Sequence, residues 1–471
     1  MKIIPIIGLE VHLELKTKSK MFCSCSAAHF QAEPNSQTCP VCLGFPGTLP
    51  VPNQTAIDWC LKLGLALNCR INQYSYFERK NYFYPDLPKG YQISQLHQPF
   101  AVGGFLEIEG RKIRLNRVHL EEDSGRCLRQ NGQIQLDFNR AGVPLIEIVS
   151  EPDLTSLEIV KKFLSRIQQI ARYLDVADAD IEKGSMRCEP TVNLKIEEDD
   201  HIFYTPLVEI KNIAGLGEVA AALDFEINRQ QKEFTETRQE KDKPPAGGKT
   251  TRGWNAGQKR TFLQREKEEV ADYRYFPEPD IPPFEFSEEY IEKIRQEIPE
   301  LPDQKIKNYL NWGLNQTEAE IMSYDRNFAL CFEKAVGNQT KLAKSIANLF
   351  LGPLKFNLDL EKINPIFFHD LIKALNKNEI SATVAKQIIL ESYQTGKNPL
   401  EIAKERNLFQ NSDIEDLKTI AQKVLADNPQ AVADYRKNPN SIGFLIGQLM
   451  KVSAGRANPQ LARQVLEELL K

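Results

Sequence analysis

The sequence lacks long apolar stretches. None of the runs within its 471 residues approaches the ~18 consecutive apolar residues that a membrane-spanning helix needs. The first residues, MKIIPIIGLEVHLEL, reach acidic side chains early and lack a small-residue cleavage site, so we expect no secretory signal peptide. With 41% hydrophobic and 26% charged residues, the composition is that of a globular protein. We therefore expect a cytoplasmic protein with no membrane partner.

The sequence also lacks an excess of positive charge and any signature of a catalytic nucleophile. The formal net charge is −4, so bulk charge does not indicate a nucleic-acid partner, although a basic face can hide in a balanced total. The chain has only 6 histidines and no G-x-S-x-G sequence, and we find no convincing catalytic triad. Internal repeats and low-complexity tracts are not evident. The length suits about two to four domains.

The sequence contains 9 cysteines, an odd number, and four of them form two close pairs. Four thiolates at this spacing can close a tetrahedron around Zn²⁺, and such a closed site is structural because it has no open coordination position. The alternatives are buried free thiols and, less favoured, disulfides. A reducing cytoplasm fits this usage best. The candidate zinc ligands are Cys23, Cys25, Cys39 and Cys42.

Three predicted strands carry acidic residues. The stretch GLEVHLEL alternates, so Glu10 and His12 share one face of a strand. Two further predicted strands contain residues 121–123 and Glu147. Carboxylates brought together repel one another unless a cation neutralises them, and oxygen ligands suit Mg²⁺. The pattern alone leaves two interpretations open, namely convergence on one metal or three independently solvated strand edges.

The stretch RKNYFYPDLPKGYQISQ, residues 79–95, is dense in aromatic, cationic and turn residues. Pro85 and Pro88 stiffen it, and Gly90 permits a tight turn. An aromatic loop with cations could stack a nucleotide base and hold phosphates, whereas the alternative is a well-packed surface loop. The candidate nucleotide-binding residues are Arg79, Lys80, Tyr82, Asp86, Lys89 and Tyr91.

The apolar pattern changes near Ser287. Before it, alternation predicts mostly strands, together with a helix over 160–174 that Thr155 or Ser156 caps. After it, three- and four-residue spacing predicts helices. The segment 235–261 is polar and rich in glycine, proline and charge, which predicts flexibility. The predicted domains are 1–290, 291–398 and 399–471.

The last predicted domain has no acidic residue between Asp434 and Glu467. An unopposed basic helical surface could meet a nucleic-acid backbone, although chance in a small sample explains the pattern equally well. The basic residues of this window include Arg436, Lys437, Lys451, Arg456 and Arg463.

Seven motifs, taken together and in this order, closely resemble one family. They are GLEVHLEL, CPVCLGFPG, RKNYFYPDLPKGYQISQ, HLEED, DFNRAGVPLIEIVSEPDL, DYRYFPEPDIPP and FLIGQLMKVSAGRANPQL. The family is the B subunit of the bacterial glutamyl-tRNA(Gln)/aspartyl-tRNA(Asn) amidotransferases. The resemblance implies an α+β cradle domain with a mixed or antiparallel sheet and a zinc-binding loop. An all-α helical domain and an all-α tail related to the YqeY proteins would follow.

The resemblance also implies a function. The family uses ATP to phosphorylate the side-chain carboxylate of misacylated Glu-tRNA(Gln) or Asp-tRNA(Asn), and ammonia then displaces phosphate. An A subunit, which a small C subunit supports, supplies ammonia from glutamine, so the isolated chain is expected to lack glutaminase activity. The helical and tail domains would bind tRNA. The Mg²⁺ ligands implied are Glu10, His12, Glu121 or Glu122, and Glu147. The rival hypothesis is a non-catalytic tRNA-binding scaffold for a partner amidase.

The sequence departs from the family pattern at several positions. Arg126 stands where Lys is usual, and Glu189 stands where Asp is usual. Ala214-Gly215 replaces the usual Asn-Ser, which puts any polar contact made there in doubt. The segment between Thr237 and Trp254 looks inserted, and we assign it no function.

Overall fold

The computed structural model describes residues 1–130, 132–238, 240–241, 249–266, 273–354, 358–409, 414–453, 457 and 459–470. Two compact units divide the chain, the first being Met1–Leu301 and the second beginning at Pro302. Strands and helices are mixed in the first unit, whereas the described part of the second is helical. A sheet-bearing N-terminal part followed by a helical part is therefore confirmed.

The first unit contains the strands and four helices. Its strands are β1 (Lys2–Glu14), β2 (Arg70–Ile71), β3 (Tyr74–Ser75), β4 (Glu78–Asn81), β5 (Tyr91–Ser94), β6 (Ala101–Val102), β7 (Phe105–Ile108), β8 (Arg111–Glu122), β9 (Arg126–Gln130), β10 (Gln133–Asp137), β11 (Pro144–Ser150), β12 (Met186–Glu198), β13 (His201–Tyr204), β14 (Val208–Lys211), β15 (Thr250–Asn255), β16 (Arg260–Glu266), β17 (Phe276–Pro277) and β18 (Phe284–Glu285). Its helices are α1 (Gln54–Ala66), α2 (Leu157–Tyr173), α3 (Leu216–Thr237) and α4 (Glu288–Gln296).

One large sheet organises the first unit. Its strand order is β16-β15-β14-β12-β1-β11-β8-β6-β2, with β13 added beside β12 and β7 beside β8. The pairs are antiparallel except for β14 and β15, which run parallel. Strand β1 lies between β11 and β12, so both of its edges are hydrogen-bonded.

Strand β1 separates the core from the candidate site because its side chains alternate. Leu9, Val11 and Leu13 are at most 1% exposed and belong to one apolar cluster with residues of α1 and α2. Glu10 and His12 project from the other face. The alternation that the sequence predicted therefore gives the sheet an apolar face for packing and a polar face for chemistry.

Helix α2 covers the apolar cluster, and its start agrees with the sequence. Ser156 adopts an extended backbone, and its side chain accepts the N–H of Ile159 at 3.3 Å, which confirms one of the two predicted caps. The helix buries Phe163, Leu164 and Ile167 completely. Its amphipathic pattern is thus explained by packing onto the sheet.

The predicted flexibility of 235–261 is wrong for its described parts. Helix α3 continues to Thr237, and β15 joins the main sheet beside β14. Trp254 is buried, so this polar segment still contributes an anchor to the core. Residues 239 and 242–248 lie outside the described residues. Polar composition was misleading because backbone pairing with β14 and β16 fixes the conformation of β15.

The second unit contains α5 (Pro302–Asn311), α6 (Gln316–Met322), α7 (Arg326–Val336), α8 (Ala343–Phe350), α9 (Pro365–Asn376), α10 (Ala382–Thr395), α11 (Pro399–Glu405), α12 (Ile414–Asp427), α13 (Pro429–Lys437), α14 (Ile442–Val452) and α15 (Pro459–Leu470), with 3₁₀ turns at Thr340–Leu342, Leu360–Lys362 and Pro439–Ser441. Among the described helices, none combines the length and the apolar character that crossing a membrane demands.

Two apolar clusters fill this second unit. One extends from Ile306 to Ala403, and the other from Leu417 to Leu466. Ile402 and Ala403, which follow the predicted boundary at 398, are buried in the first cluster. In the same way, α4 packs on α1, so the first compact unit ends at Leu301 rather than at residue 290. Of the predicted basic residues in the tail, Arg456 lies outside the described residues.

We expect Phe163→Ala to destabilise the first unit by about 3–5 kcal/mol, because it empties a fully enclosed site between α2 and the sheet. Hydrogen exchange of the α2 and β1 amides would measure the loss. Lys161→Ala, on the exposed side of the same helix, is the matched control and should change stability by less than about 0.5 kcal/mol. Equal effects of the two substitutions would contradict this packing.

Candidate functional site

Three neighbouring strands form a polar row across the sheet. His12 of β1 lies opposite Glu147 of β11, and Glu147 lies opposite His119 of β8. Directly paired residues project from the same face, and so does Glu121, two residues beyond His119. The strand order thus brings together groups that are far apart in the sequence.

Three of these groups are close enough to share one cation. Nε2 of His12 lies 3.3 Å from Oε2 of Glu147 and 3.6 Å from Oε1 of Glu121. One ligand atom from each residue lies within 4.8 Å of the other two. Adjacent ligands of an octahedral Mg²⁺, at about 2.1 Å from the ion, are about 3.0 Å apart, so small movements would complete such a site. One imidazole with two carboxylates suits Mg²⁺ or Mn²⁺.

The electrostatics of the cluster also favour a cation. Burial raises the pKa of Glu121, and burial followed by the charge of Glu147 raises that of Glu10. Although burial opposes it, the hydrogen bond and charge of Glu147 and then the charge of Glu121 raise the pKa of His12 to about 9. Protonated His12 therefore neutralises part of the negative charge of the acidic cluster. A bound metal ion would take the place of that proton.

Glu147 is a buried acid of the row and has a partner at each oxygen. Its Oε1 lies 3.4 Å from an Nη atom of Arg117, and its Oε2 lies 3.7 Å from Nε2 of His119. Against the effect of burial, the hydrogen bond and charge of His12 and the ammonium of Lys80 hold the pKa of Glu147 well below its ordinary value. Burial lowers the pKa of His119 to about 3, so this ring is uncharged near neutral pH. Glu147 is therefore ionised and ready to bind a cation.

The other two predicted metal ligands occupy different positions. Glu10 lies on the polar face, opposite Glu189 of β12. Glu122 follows Glu121 on β8 and so projects from the other side of the strand. There it pairs with Lys89 and accepts the backbone N–H of Ile93 at 2.9 Å. The structure therefore gathers His12, Glu121 and Glu147 but keeps Glu122 apart from them.

Lys80 of β4 is the predicted nucleotide-binding residue that acts directly on this cluster. It is half-buried and faces the charges of Glu121 and Glu147, which outweigh the effect of burial and raise its pKa. Its Nζ lies 5.3 Å from the ring centroid of Tyr273, within the range of a cation–π contact. Burial raises the pKa of Tyr275 to about 12, and the charges of Glu121 and Glu147 act on it in the same direction. Lys80 can therefore present a cation to an anionic substrate beside the acids.

Arg79 and Lys89 are engaged elsewhere in the fold. Arg79 donates to both carboxylate oxygens of Glu278 at 2.7 Å, and its guanidinium lies 4.3 Å from the ring centroid of Tyr91. Lys89 is held by Glu122. These two cations therefore do not join Lys80 at the cluster.

Tyr82 and Asp86 also have contacts within the fold. The hydroxyl of Tyr82 donates to Oε1 of Gln92 at 3.4 Å. The backbone carbonyl of Asp86 accepts the N–H of Gly125 at 2.8 Å. Tyr82 thus makes a contact within the 79–95 stretch, and Asp86 joins that stretch to the turn after β8.

The four cysteines form a second cluster, on the loop after β1. Their sulfur atoms all lie within 4.8 Å of one another. Sulfurs at about 2.3 Å from a tetrahedral zinc ion are about 3.8 Å apart, so the arrangement fits that metal. Lys20 is fully buried and places Nζ 3.6 Å from Sγ of Cys42. The hydrogen bond from Cys23, assisted by the charge of Lys20, lowers the pKa of Cys42 to about 5, which favours a thiolate ligand.

One departure from the family pattern has a visible structural effect. Gly215 is the N-cap of α3, and no side chain caps this helix. A serine there could accept a backbone N–H of the first turn, so glycine removes a stabilising contact.

The other two departures form contacts of their own. Glu189, the longer acid, pairs with Lys211 of β14, and Arg126 lies 3.5 Å from Nδ1 of His29 in the cysteine loop.

This fold and site define a class: a largely antiparallel sheet that gathers one imidazole and two carboxylates able to hold a metal ion, with a separate cysteine cluster that fits a structural metal. Residues 5–292 match the family model described as the GatB/GatE catalytic domain, and residues 330–470 match the model described as the GatB domain. The chain therefore belongs to the GatB/GatE family, which confirms the resemblance seen in the seven motifs.

Several curated relatives are similar over their whole length, and each is named as the B subunit of an aspartyl/glutamyl-tRNA(Asn/Gln) amidotransferase. The relative from Persephonella marina is 42% identical, with 99% of each chain covered. The protein of the same name from Thermosipho melanesiensis is 42% identical over 100% of both chains, and that from Thermodesulfovibrio yellowstonii is 43% identical over 99% of both.

The sequence reasoning missed three neighbours of the acids, and alternation contained the signal for two of them. Arg117 and His119 occupy every second position before Glu121 on β8, so they share its face. Arg187 pairs with Asp123 and lies opposite His12 on β12, a position that only the strand pairing reveals.

The buried carboxylate of Asp123 forms ion pairs with Arg187 and with Arg140, the latter at 3.3 Å. This arrangement leads to a prediction about stability. We expect Asp123→Asn to cost roughly 3 kcal/mol, because both guanidinium groups lose their counter-charge. Although burial raises it, the charges of Arg187 and Arg140 lower the pKa of Asp123 from 3.8. The loss should therefore be constant above that pH and should shrink as the pH falls below it.

Urea denaturation of both proteins, from about pH 7 to about pH 3, would test this dependence. Asp175→Asn is the control, because Asp175 forms an exposed ion pair with Lys16. It should cost less than about 1 kcal/mol at any pH. A loss from Asp123→Asn that grows on acidification would contradict the assignment.

Proposed function

We propose that this protein is the subunit of a tRNA-dependent amidotransferase that activates misacylated Glu-tRNA(Gln), Asp-tRNA(Asn) or both. With ATP it phosphorylates the side-chain carboxylate of the tRNA-bound amino acid, and ammonia then converts the product to the amide. The convergence of His12, Glu121 and Glu147 beside Lys80 is the observation that carries this proposal. The names of its full-length relatives support the substrate class.

The chemistry explains why such a site is needed. A carboxylate resists attack by ammonia because its leaving group would be oxide. When the carboxylate oxygen attacks the γ-phosphorus of ATP, the bond to ADP breaks and an acyl phosphate forms. Ammonia then attacks the acyl carbon, the carbon–oxygen bond breaks, phosphate leaves and nitrogen loses a proton. Such phosphoryl transfer depends on positioning and on cationic stabilisation rather than on a protein nucleophile.

The residues of the row have defined roles in this proposal. His12, Glu121 and Glu147 would hold Mg²⁺, with Glu10 close by, and a bound Mg²⁺ would neutralise charge on the phosphate oxygens. Lys80 would orient the same phosphates as a half-buried cation. The ring of Tyr273 lies 5.3 Å from its Nζ and helps to hold it in place.

The scaffold hypothesis explains the site less well. A protein that only holds tRNA and a partner has no use for two buried acids and a half-buried imidazole gathered from three separate strands. Burying ionised groups costs several kcal/mol each unless they are paired. A catalytic metal site accounts for that arrangement, and a binding platform does not.

Ammonia has to come from a partner, because the sequence has no Gly/Ser-rich amidase signature and four of its cysteines are gathered in one cluster. We infer a heterotrimer with an amidase A subunit and a small C subunit. The helical region from Pro302 onward would bind the tRNA, consistent with the predicted helical and YqeY-like tail domains. We assign the cysteine cluster to structural Zn²⁺.

We expect Glu147→Gln and His12→Ala to reduce ATP-dependent amidation by about 10²–10³-fold or more, because each removes a metal ligand. The assay is ADP release and amide formation by the reconstituted complex, with misacylated tRNA and ammonium chloride in place of glutamine. Ammonium bypasses the partner's amidase, so the assay reports on this chain. Binding of tRNA should be unchanged.

Glu107→Gln, on the exposed side of β7, is the matched control and should retain full activity. Persistent ATP turnover in Glu147→Gln would favour the scaffold instead. Running the assay with Glu-tRNA(Gln) and with Asp-tRNA(Asn) separately identifies the substrate.

We expect Cys39→Ser with Cys42→Ser to release about one equivalent of zinc and to lower thermal stability, because the loop loses its closed four-sulfur site. Metal analysis and thermal unfolding of the purified chain would measure both. Cys331→Ser, a buried cysteine in the second unit, is the control for thiol loss and should retain zinc. Loss of zinc with unchanged stability would contradict the structural role.

A further inference from the structure

Two residues of β8 contact the acid at the centre of the row without belonging to the metal-ligand cluster. We propose that His119 and Arg117 are positioning residues that orient the carboxylate of Glu147 toward the divalent cation. This inference rests on the proposed function, because it takes the ion to bind at His12, Glu121 and Glu147.

The geometry assigns one residue to each carboxylate oxygen. Nε2 of His119 lies 3.7 Å from Oε2 of Glu147, the same oxygen that lies 3.3 Å from His12. Arg117 approaches Oε1 at 3.4 Å from the exposed side of the row. With a partner at each oxygen, rotation of the carboxylate about its last bond is restricted. Oε2 is thereby directed toward His12, where the ion would bind.

Neither residue is explained by the stability of the fold alone. His119 is 2% exposed, and within the described part of the chain its Nδ1 has no hydrogen-bond partner; Nε of Arg117 is likewise buried without one there. A buried polar atom without a partner is destabilising, and an apolar side chain of similar size would avoid that penalty. Two such atoms, two positions apart on one strand, indicate that these side chains serve the acid they face.

The position of His119 strengthens the assignment. It is the direct cross-strand partner of Glu147, so backbone pairing fixes the distance between them. Residues that orient metal ligands from outside the coordination shell commonly change metal affinity by about 10–100-fold when they are replaced. A 3.7 Å separation is longer than a hydrogen bond, and a small adjustment of either side chain would bring Nε2 of His119 within hydrogen-bond distance of Oε2.

The test is Mn²⁺ binding to the full chain without ATP or tRNA, followed by electron paramagnetic resonance and calorimetry. We expect His119→Leu to weaken Mn²⁺ binding about 10–100-fold. Its melting temperature without metal should be unchanged or higher, because the unpartnered nitrogen is removed. A purely structural histidine would show the opposite pattern, with lower stability and unchanged affinity.

Two amide substitutions identify the nitrogen that acts. The amide of His119→Gln can reach the position of Nε2, so this variant should recover most of the affinity. The shorter amide of His119→Asn corresponds to Nδ1 and should remain weak. Arg117→Met should also weaken binding, while His201→Leu, at an exposed histidine of β13, is the control and should bind as the native chain does.

The outcomes separate the two levels of inference. If His12→Ala abolishes Mn²⁺ binding and His119→Leu leaves it unchanged, the positioning role alone is overturned. Native protein that binds no Mn²⁺ at this site would overturn the proposed metal site, and the positioning role with it. Recovery by asparagine rather than glutamine would overturn the assignment to Nε2.

Discussion

The burial of one ionised carboxylate, that of Glu147, constrains the rest of the site. Removing such a group from water costs several kcal/mol unless charges and donors replace the lost solvation. His12, His119 and Arg117 surround it from the two adjacent strands. Because those strands flank β11 in the sheet, the pairing that supplies these partners also brings His12 and Glu121 to the candidate metal site.

The same strand pairing serves two purposes. On one face of β1, four apolar residues enter the core; on the other, His12 belongs to the candidate metal site and Glu10 lies on the same face. A shift of one residue in register would exchange the two faces and would place His12 in the apolar cluster. Correct folding of the sheet and assembly of the site are therefore a single event.

Local patterns in the sequence predicted a substantial part of this structure. Alternation placed Glu10 and His12 together, and the cysteine spacing predicted a cluster that the structure brings within 4.8 Å. Whether the acids of three strands meet depends on strand order and register, which are non-local, so the residues left that question open. Alternation did contain the reason to separate Glu122 from Glu121. The strand at Thr250–Asn255 was missed because polar composition suggested flexibility, whereas pairing with β14 decides its conformation.

The central position of β1 also has a consequence for synthesis of the chain. Its partners are β11 and β12, and the pair of Lys2 with Glu197 spans about two thirds of the first unit. At the usual ribosomal rate of about 5–20 residues per second, the first strand waits about 10–40 s for its second neighbour. During that time its backbone edges are unpaired and capable of pairing with other chains. Any slowing of translation before residue 198 therefore prolongs the exposure of this strand.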